Sequence, residues 1–143
     1  MGAVIKRKDF PKVIEQVQQC LFVMSNKVTF PANVTFVNIG LLLSERMLSA
    51  KLDGSRVSIV NELDTILEEK NSDIALVNID ILFSPEYKLD VIRLLLQVGR
   101  NQRLYIKWPG NSIGEKLTYS EPGRFDYKEY DIKNYVDTYI VLR

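Results

Sequence analysis

The segment Ile74-Ala75-Leu76-Val77-Asn78-Ile79 is apolar at every position but one and is bounded by polar residues on both sides. A half-wet strand would alternate, so a short continuous run of this kind reads as a strand covered on both faces, the habit of parallel sheets shielded by crossover helices. Val34-Thr35-Phe36-Val37-Asn38-Ile39 is a second strand candidate, β-branched and aromatic and followed by Gly40, and residues 103–108 are a third that stops at Pro109-Gly110. Helical patterns separate them. Residues 41–48 suit a short helix, and Asp53-Gly54-Ser55 is a turn into another, where Ile59, Leu63, Ile66 and Leu67 share a face opposite Glu62, Asp64, Glu68, Glu69 and Lys70. That helix should end near Asn71-Ser72. Pro85 opens a further helix in which Val91, Leu94, Leu95 and Val98 recur at i, i+3, i+4 and i+7 before Gly99 stops it. The alternation predicts an α/β fold, a mostly parallel sheet flanked by helices and joined by right-handed crossovers.

The two ends differ from this middle. Residues 1–12 carry Lys6, Arg7, Lys8 and Lys12 against Asp9 alone, without apolar periodicity before Phe10, so residues 1–8 are expected to be a flexible basic arm. From Asp9, with Pro11 in the first turn, Val13, Val17, Cys20, Leu21 and Met24 recur at helical spacing and predict one buried stripe. Cys20 on that stripe is expected to be a packed, inert thiol. At the other end six of the seven Tyr (105, 119, 127, 130, 135 and 139) lie beyond residue 104. Lys116–Tyr119 and Thr138–Leu142 read as short strands around a polar, aromatic excursion, a short β-rich C-terminal extension. A chain of 143 residues supports one domain, 1–143.

Charge and residue content narrow the chemistry. Nineteen Lys and Arg against eighteen Asp and Glu leave +1, which provides no global field toward DNA or an anionic membrane, so any such contact must be a local patch. The chain has no His, which removes the usual neutral-pH base and the commonest metal ligand, and with them Ser-His and Cys-His catalysis and typical zinc sites. Cys20 is the only cysteine and cannot form an internal disulfide. Without a signal peptide or an apolar run of 18 residues, a soluble cytoplasmic protein that makes no membrane contact is expected.

Three groups could carry function. Asp80 closes the apolar run 74–79, the position from which a Walker B strand delivers a carboxylate to nucleotide-bound Mg²⁺. It is a weak catalytic candidate, because an Asp after a buried strand more often caps a turn. A nucleotide site also needs a Gly-rich phosphate cradle followed by Lys and Ser or Thr. The glycines stand at 2, 40, 54, 99, 110, 114 and 123, and none completes that pattern, so neither a metal nor a cofactor is expected, with ATP and Mg²⁺ as the alternative. The second group is Arg100, Arg103, Lys107 and Trp108. Strand alternation puts Arg103, Tyr105 and Lys107 on one face, able to stack on bases or clasp phosphate, or else to protect a half-exposed edge strand. Arg100 equally suits the dipole at a helix C-terminus. The third is Leu117-Thr118-Tyr119-Ser120-Glu121-Pro122-Gly123 followed by Asp126-Tyr127-Lys128-Glu129-Tyr130, either an aromatic rim sealing the domain or a recognition surface that includes Tyr119, Glu121, Tyr127 and Tyr130.

These segments also carry a resemblance. Asn78-Ile79-Asp80-Ile81-Leu82-Phe83, residues 90–95, Arg100-Asn101, Trp108-Pro109-Gly110 and residues 117–123, in that order, resemble the BrxF family of BREX type 3 bacteriophage-exclusion systems. The similarity spans roughly residues 34–130, and Trp-Pro-Gly and Leu-Thr-Tyr-x-Glu-Pro-Gly are its most specific parts. The resemblance implies a three-layer, P-loop-NTPase-like core acting beside other components of an anti-phage system. It also implies a Gly-rich loop ahead of residues 34–43, where this chain has only residues 22–31, and a metal-binding acid where this chain has Val77. Both departures point to a non-catalytic accessory or adaptor that contacts other defence proteins, with DNA as a further partner and self-association left open. The alternative is an ATPase component with an atypical phosphate site.

Overall fold

The computed structural model describes residues 2–17, 19–25, 28–48, 56–68, 73–85, 89–99 and 102–142. Arg100, the turn at 53–55 and the helix end near 71–72 lie outside them. Six strands form one sheet: β1 (Ala3–Lys6), β2 (Cys20–Met24), β3 (Thr35–Asn38), β4 (Ile74–Val77), β5 (Arg103–Lys107) and β9 (Thr138–Leu142). Their order is β1-β9-β2-β5-β4-β3, and every neighbouring pair runs parallel. Helices α1 (Phe10–Gln16), α2 (Ile39–Leu48), α3 (Arg56–Glu68) and α4 (Val91–Val98) flank it, and β6 (Asn111–Ile113), β7 (Lys116–Tyr119) and β8 (Lys128–Asp131) make a small antiparallel sheet. The chain is an α/β protein with a mostly parallel sheet, as the apolar runs predicted.

Alternation along the strands sorts the core into two layers. Leu21, Val23, Ile74, Leu76, Leu104 and Ile106 face the side packed by Leu43, Ile59, Leu63, Leu67, Leu94 and Leu95 from α2, α3 and α4. Cys20, Phe22, Met24, Ala75 and Tyr105 face the other side, under Phe10 of α1, Val28 and the half-buried Phe30 and Val34. The second layer is thin. Phe36 of β3, at the sheet's edge, is 61% exposed and meets Phe30 edge to face at 5.6 Å.

Three expectations change. The N-terminal helix ends at Gln16, and Val17 is already extended (φ −120°, ψ 124°). Cys20–Met24 is a strand held between β5 and β9, with all five residues buried. A run that is apolar at every position satisfies helical spacing as easily as any other, and a helix there could have buried only one stripe, whereas a central strand buries both faces. The basic arm is ordered from Ala3: Val4 and Ile5 pair with Ile140 and Val141, and a Cβ on buried Gly2 would run into the Ile132 carbonyl. Finally, β5 lies in the middle of the sheet, between β2 and β4, so its cations do not protect an edge.

Helix α4 follows its predicted phase. The Asp90 carboxylate accepts from the Arg93 backbone N–H at 3.2 Å and caps the first turn, Val91, Ile92, Leu94, Leu95 and Val98 are buried, and a side chain at Gly99 would collide with Leu104.

Candidate functional site

Ligands of open parallel sheets bind beyond the carboxyl ends of the strands, so that edge is where chemistry would be sought. Here β2 runs out at Met24, whose carbonyl accepts from the Trp108 backbone N–H at 3.1 Å. Beyond it, the Lys107 ammonium donates to the Ser25 carbonyl at 3.3 Å and to the Val28 carbonyl, and lies 5.2 Å from the Phe30 ring centroid. Burial pushes the pKa of Lys107 down. This cradle is built from carbonyl oxygens around a cation, the reverse polarity of a phosphate cradle built from N–H groups.

The neighbouring strand ends are structural too. The Asn38 side chain caps α2 by accepting from the Leu41 N–H at 2.9 Å. After β4 the chain reverses through Asn78 in the left-handed region (φ 56°), and a Cβ on Gly40 would meet the Asn78 carbonyl at 2.8 Å. A 3-10 turn over Ile79–Phe83 follows, with Asp80 exposed in its first turn. Burial, then the nearby Asp80 charge, raises the pKa of the Tyr119 phenol, whose ring stacks on Phe83 at 4.1 Å. Among the described residues no cluster of His, Cys, Asp or Glu is arranged to hold a metal ion.

Arg103, Tyr105 and Lys107 do share a face, but α1 and residues 28–34 cover it. Arg103 Nε donates to Asp73 at 3.0 Å and its Nη1 to the Ile14 carbonyl at 2.6 Å. The Tyr105 hydroxyl donates to the other Asp73 oxygen at 2.7 Å, and its ring stacks on Phe22 at 5.2 Å. The donors that could have clasped phosphate are therefore tied to Asp73, to α1 through Ile14, and to the Ser25 and Val28 carbonyls. Cys20, on the same face, is packed as expected, and burial pushes its thiol up to about 12.

Trp108 and Tyr130 are core residues, 3% and 5% exposed, and not exposed contacts. Trp108 Nε1 donates to the Thr118 carbonyl at 2.8 Å, and its ring packs edge-on against Phe83 (5.3 Å) and Tyr130 (5.7 Å). Gly110 lets the strands close, since a Cβ there would strike the Thr118 carbonyl. The Tyr130 hydroxyl accepts from the Val91 N–H at 3.4 Å, and burial pushes its pKa up to about 12. Trp-Pro-Gly and the Leu-Thr-Tyr segment thus fasten the small sheet to the large one.

An open groove of about 480 Å³ lies between the start of α4 and β8, lined among others by Pro85, Leu89, Asp90, Phe125, Tyr127, Glu129 and Tyr135. Tyr130 forms part of its wall, and Phe125 stands 87% exposed at its mouth. The Asp90 carboxylate accepts from the Tyr135 hydroxyl at 2.9 Å, and the Arg93 guanidinium sits 5.2 Å from the Tyr135 ring centroid. Glu129 accepts from Tyr127 at 3.1 Å and from Lys116 at 3.1 Å, and those partners hold its carboxyl below the usual range. Lys128, also on the lining, donates to the Leu89 carbonyl at 3.3 Å. The groove is an aromatic trough suited to bind an extended segment through apolar and ring contacts.

Of the residues expected at a surface, Tyr127 lines this trough, Glu121 lies outside it, exposed and 3.8 Å from Arg124, and Tyr119 is half-buried on Phe83. The sequence reading missed Phe125, Asp90 and Tyr135. A phenylalanine in a polar stretch, just after the Glu-Pro-Gly turn and with no strand around it to bury it, was the available signal. Compared with protein-family models, curated proteins and solved structures, the chain gives no match. No helix among the described residues is long and apolar enough to cross a membrane.

Proposed function

We propose that this protein is a non-catalytic, NTPase-like adaptor of a BREX-type anti-phage defence system, working through protein contacts at the aromatic groove. The observation that carries the non-catalytic half is the Lys107 cradle. At the end of β2, where a phosphate loop would present N–H groups, Ser25 and Val28 present carbonyls to a lysine. An incoming phosphate would compete with those carbonyls for the ammonium and would face their oxygen lone pairs in place of N–H donors. The strand order supports an NTPase-like core over the dinucleotide-binding and flavodoxin-like orders, in which the first two strands of the unit are adjacent; here β5 and β4 separate β2 from β3.

The adaptor half rests on the groove. Exposed aromatic side chains beside a preformed trough supply contact area with little ordering cost, the chemistry by which interfaces gain affinity. Two measurements test the reading. Thermal unfolding with and without Mg²⁺-ATP should be unchanged, whereas a ligand at 100 times its Kd would add about 2.7 kcal/mol. A Mg²⁺-dependent rise in Tm would favour the ATPase alternative. Pull-down of neighbouring defence proteins should succeed with the starting chain and fail after Phe125→Ser with Tyr127→Ser.

A further inference from the structure

The ordered N-terminus turns the expected arm into a surface. Lys6 ends β1, Arg7–Asp9 form a 3-10 turn, and Lys6, Arg7, Lys8 and Pro11 line an open notch of about 500 Å³. Because β1 is parallel to β9, this notch lies at the carboxyl edge of the sheet. Lys6, Arg7, Lys8 and Lys12 are all exposed, and none has an ion-pair partner among the described residues. They contrast with Arg103 and Lys107, which are held by Asp73 and by the Ile14, Ser25 and Val28 carbonyls.

The charge of the whole chain is polarised toward this notch. Four of its 19 basic residues and only one of its 18 acidic ones fall within residues 1–12, so the remaining residues carry 15 against 17. A nearly neutral protein thus presents a positive end against a slightly negative body. A concentrated patch of this kind orients the molecule on a polyanion although the net charge of +1 gives no long-range pull.

We infer that Lys6, Arg7 and Lys8 form a docking site for the phosphate backbone of duplex nucleic acid, read without regard to sequence. The notch favours a duplex over a single strand, because its walls are three cations and Pro11 rather than rings on which bases could stack. It favours nucleic acid over a lipid surface, because its lining carries no large apolar side chain and Phe10, next after the 3-10 turn, is buried against Phe22 at 4.9 Å and cannot insert into acyl chains. The inference deepens the adaptor reading and rests on it for its setting: the groove would hold a defence protein and the notch would hold DNA.

The experiment is fluorescence anisotropy with a labelled 30-base-pair duplex of arbitrary sequence between 50 and 200 mM salt, using the full chain. The starting protein should bind with log K falling linearly in log salt. Lys6→Gln, Arg7→Gln and Lys8→Gln combined should flatten the slope by about 2.7, so that the starting protein loses about 40-fold more affinity than the variant across that range. Lys8→Gln alone should flatten it by about 0.9, which keeps the test open if the triple variant unfolds. Phe125→Ser with Tyr127→Ser should leave the slope unchanged; if it also abolishes protein capture, the adaptor reading and the DNA site are separately supported. No binding by the starting protein at 50 mM salt, or equal slopes in the variants, overturns the inference. So does Lys6-, Arg7- and Lys8-dependent sedimentation with phosphatidylserine vesicles at salt where the duplex is not bound, which would assign the notch to a membrane surface. Failed pull-down with intact DNA binding counts against the adaptor reading alone.

Discussion

Lys107 Nζ donates to the Ser25 carbonyl at 3.3 Å, tying the end of the central strand β5 to the chain as it leaves β2. Lys107→Met keeps the apolar stem under Phe30 but takes the ammonium away from the Val28 carbonyl and from the Ser25 carbonyl, which still accepts from the Val28 N–H at 3.1 Å. Stability should fall by about 1–3 kcal/mol, read from urea unfolding with an unchanged m value. An unchanged midpoint would mean that water replaces the ammonium at no cost.

Asp73 joins two residues of β5. Its oxygens accept from Arg103 Nε at 3.0 Å and the Tyr105 hydroxyl at 2.7 Å, and the Arg103 and Asp73 side chains are 28% and 23% exposed. Asp73→Ala should cost about 2–3 kcal/mol and Tyr105→Phe about 1 kcal/mol. The double variant should cost less than the sum by roughly 0.5–2 kcal/mol, and strict additivity would show that the hydroxyl and carboxylate act independently.

The lone tryptophan reports on the junction between the sheets. Gly110→Ala pushes a methyl group into the Thr118 carbonyl that accepts from Trp108 Nε1. The cost should be about 1–3 kcal/mol, with Trp108 emission moving to longer wavelength as the indole becomes wetter. Retention of the blue emission and the Tm would show that β6 and β7 can separate without disturbing the core.

Alkaline pH should weaken the fold. Cys20 is held from 9.0 up to about 12 by burial, and Tyr130 from 10.0 up to about 12. Between those values the unfolded chain has lost a proton that the folded chain retains, so stability falls as pH rises. Each group should contribute about 1.4 kcal/mol per pH unit, Cys20 from pH 9 and Tyr130 from pH 10. Below pH 9 neither contributes a slope. Cys20→Ala should flatten the loss between pH 9 and 10 in a series of thermal melts, and an identical profile would place the alkaline sensitivity elsewhere.

At the groove, Phe125→Ser should leave the Tm within the change expected of a surface substitution, about 0.5 kcal/mol, while lowering partner capture tenfold or more. Tyr130→Ser, by contrast, removes a buried ring that packs on Trp108 and should cost about 3–5 kcal/mol. If Phe125→Ser lowered stability as much as Tyr130→Ser, the exposed ring would be part of the core and not a contact.

Sequence alone determined the sheet-forming runs at 35–38, 74–77 and 103–107 and the phase of α4, because each is a local pattern of apolar residues and stop signals. It also placed Arg103, Tyr105 and Lys107 on one face, since alternation is a property of any strand. What it could not determine was what covers that face. Only the tertiary structure sets α1 and residues 28–34 over it, turning two expected phosphate-binding cations into clamps on Asp73 and on the carbonyls of Ser25 and Val28. The same holds for Cys20–Met24, where helix and strand are equally compatible with five apolar residues in a row, and pairing with β5 and β9 decides. Lys6, Arg7 and Lys8 read as an arm because the partner that orders them, β9, lies more than 130 residues away in the chain. Local patterns specify which surfaces an element offers, whereas burial, and with it the distinction between a binding residue and a structural one, depends on contacts between segments far apart in sequence.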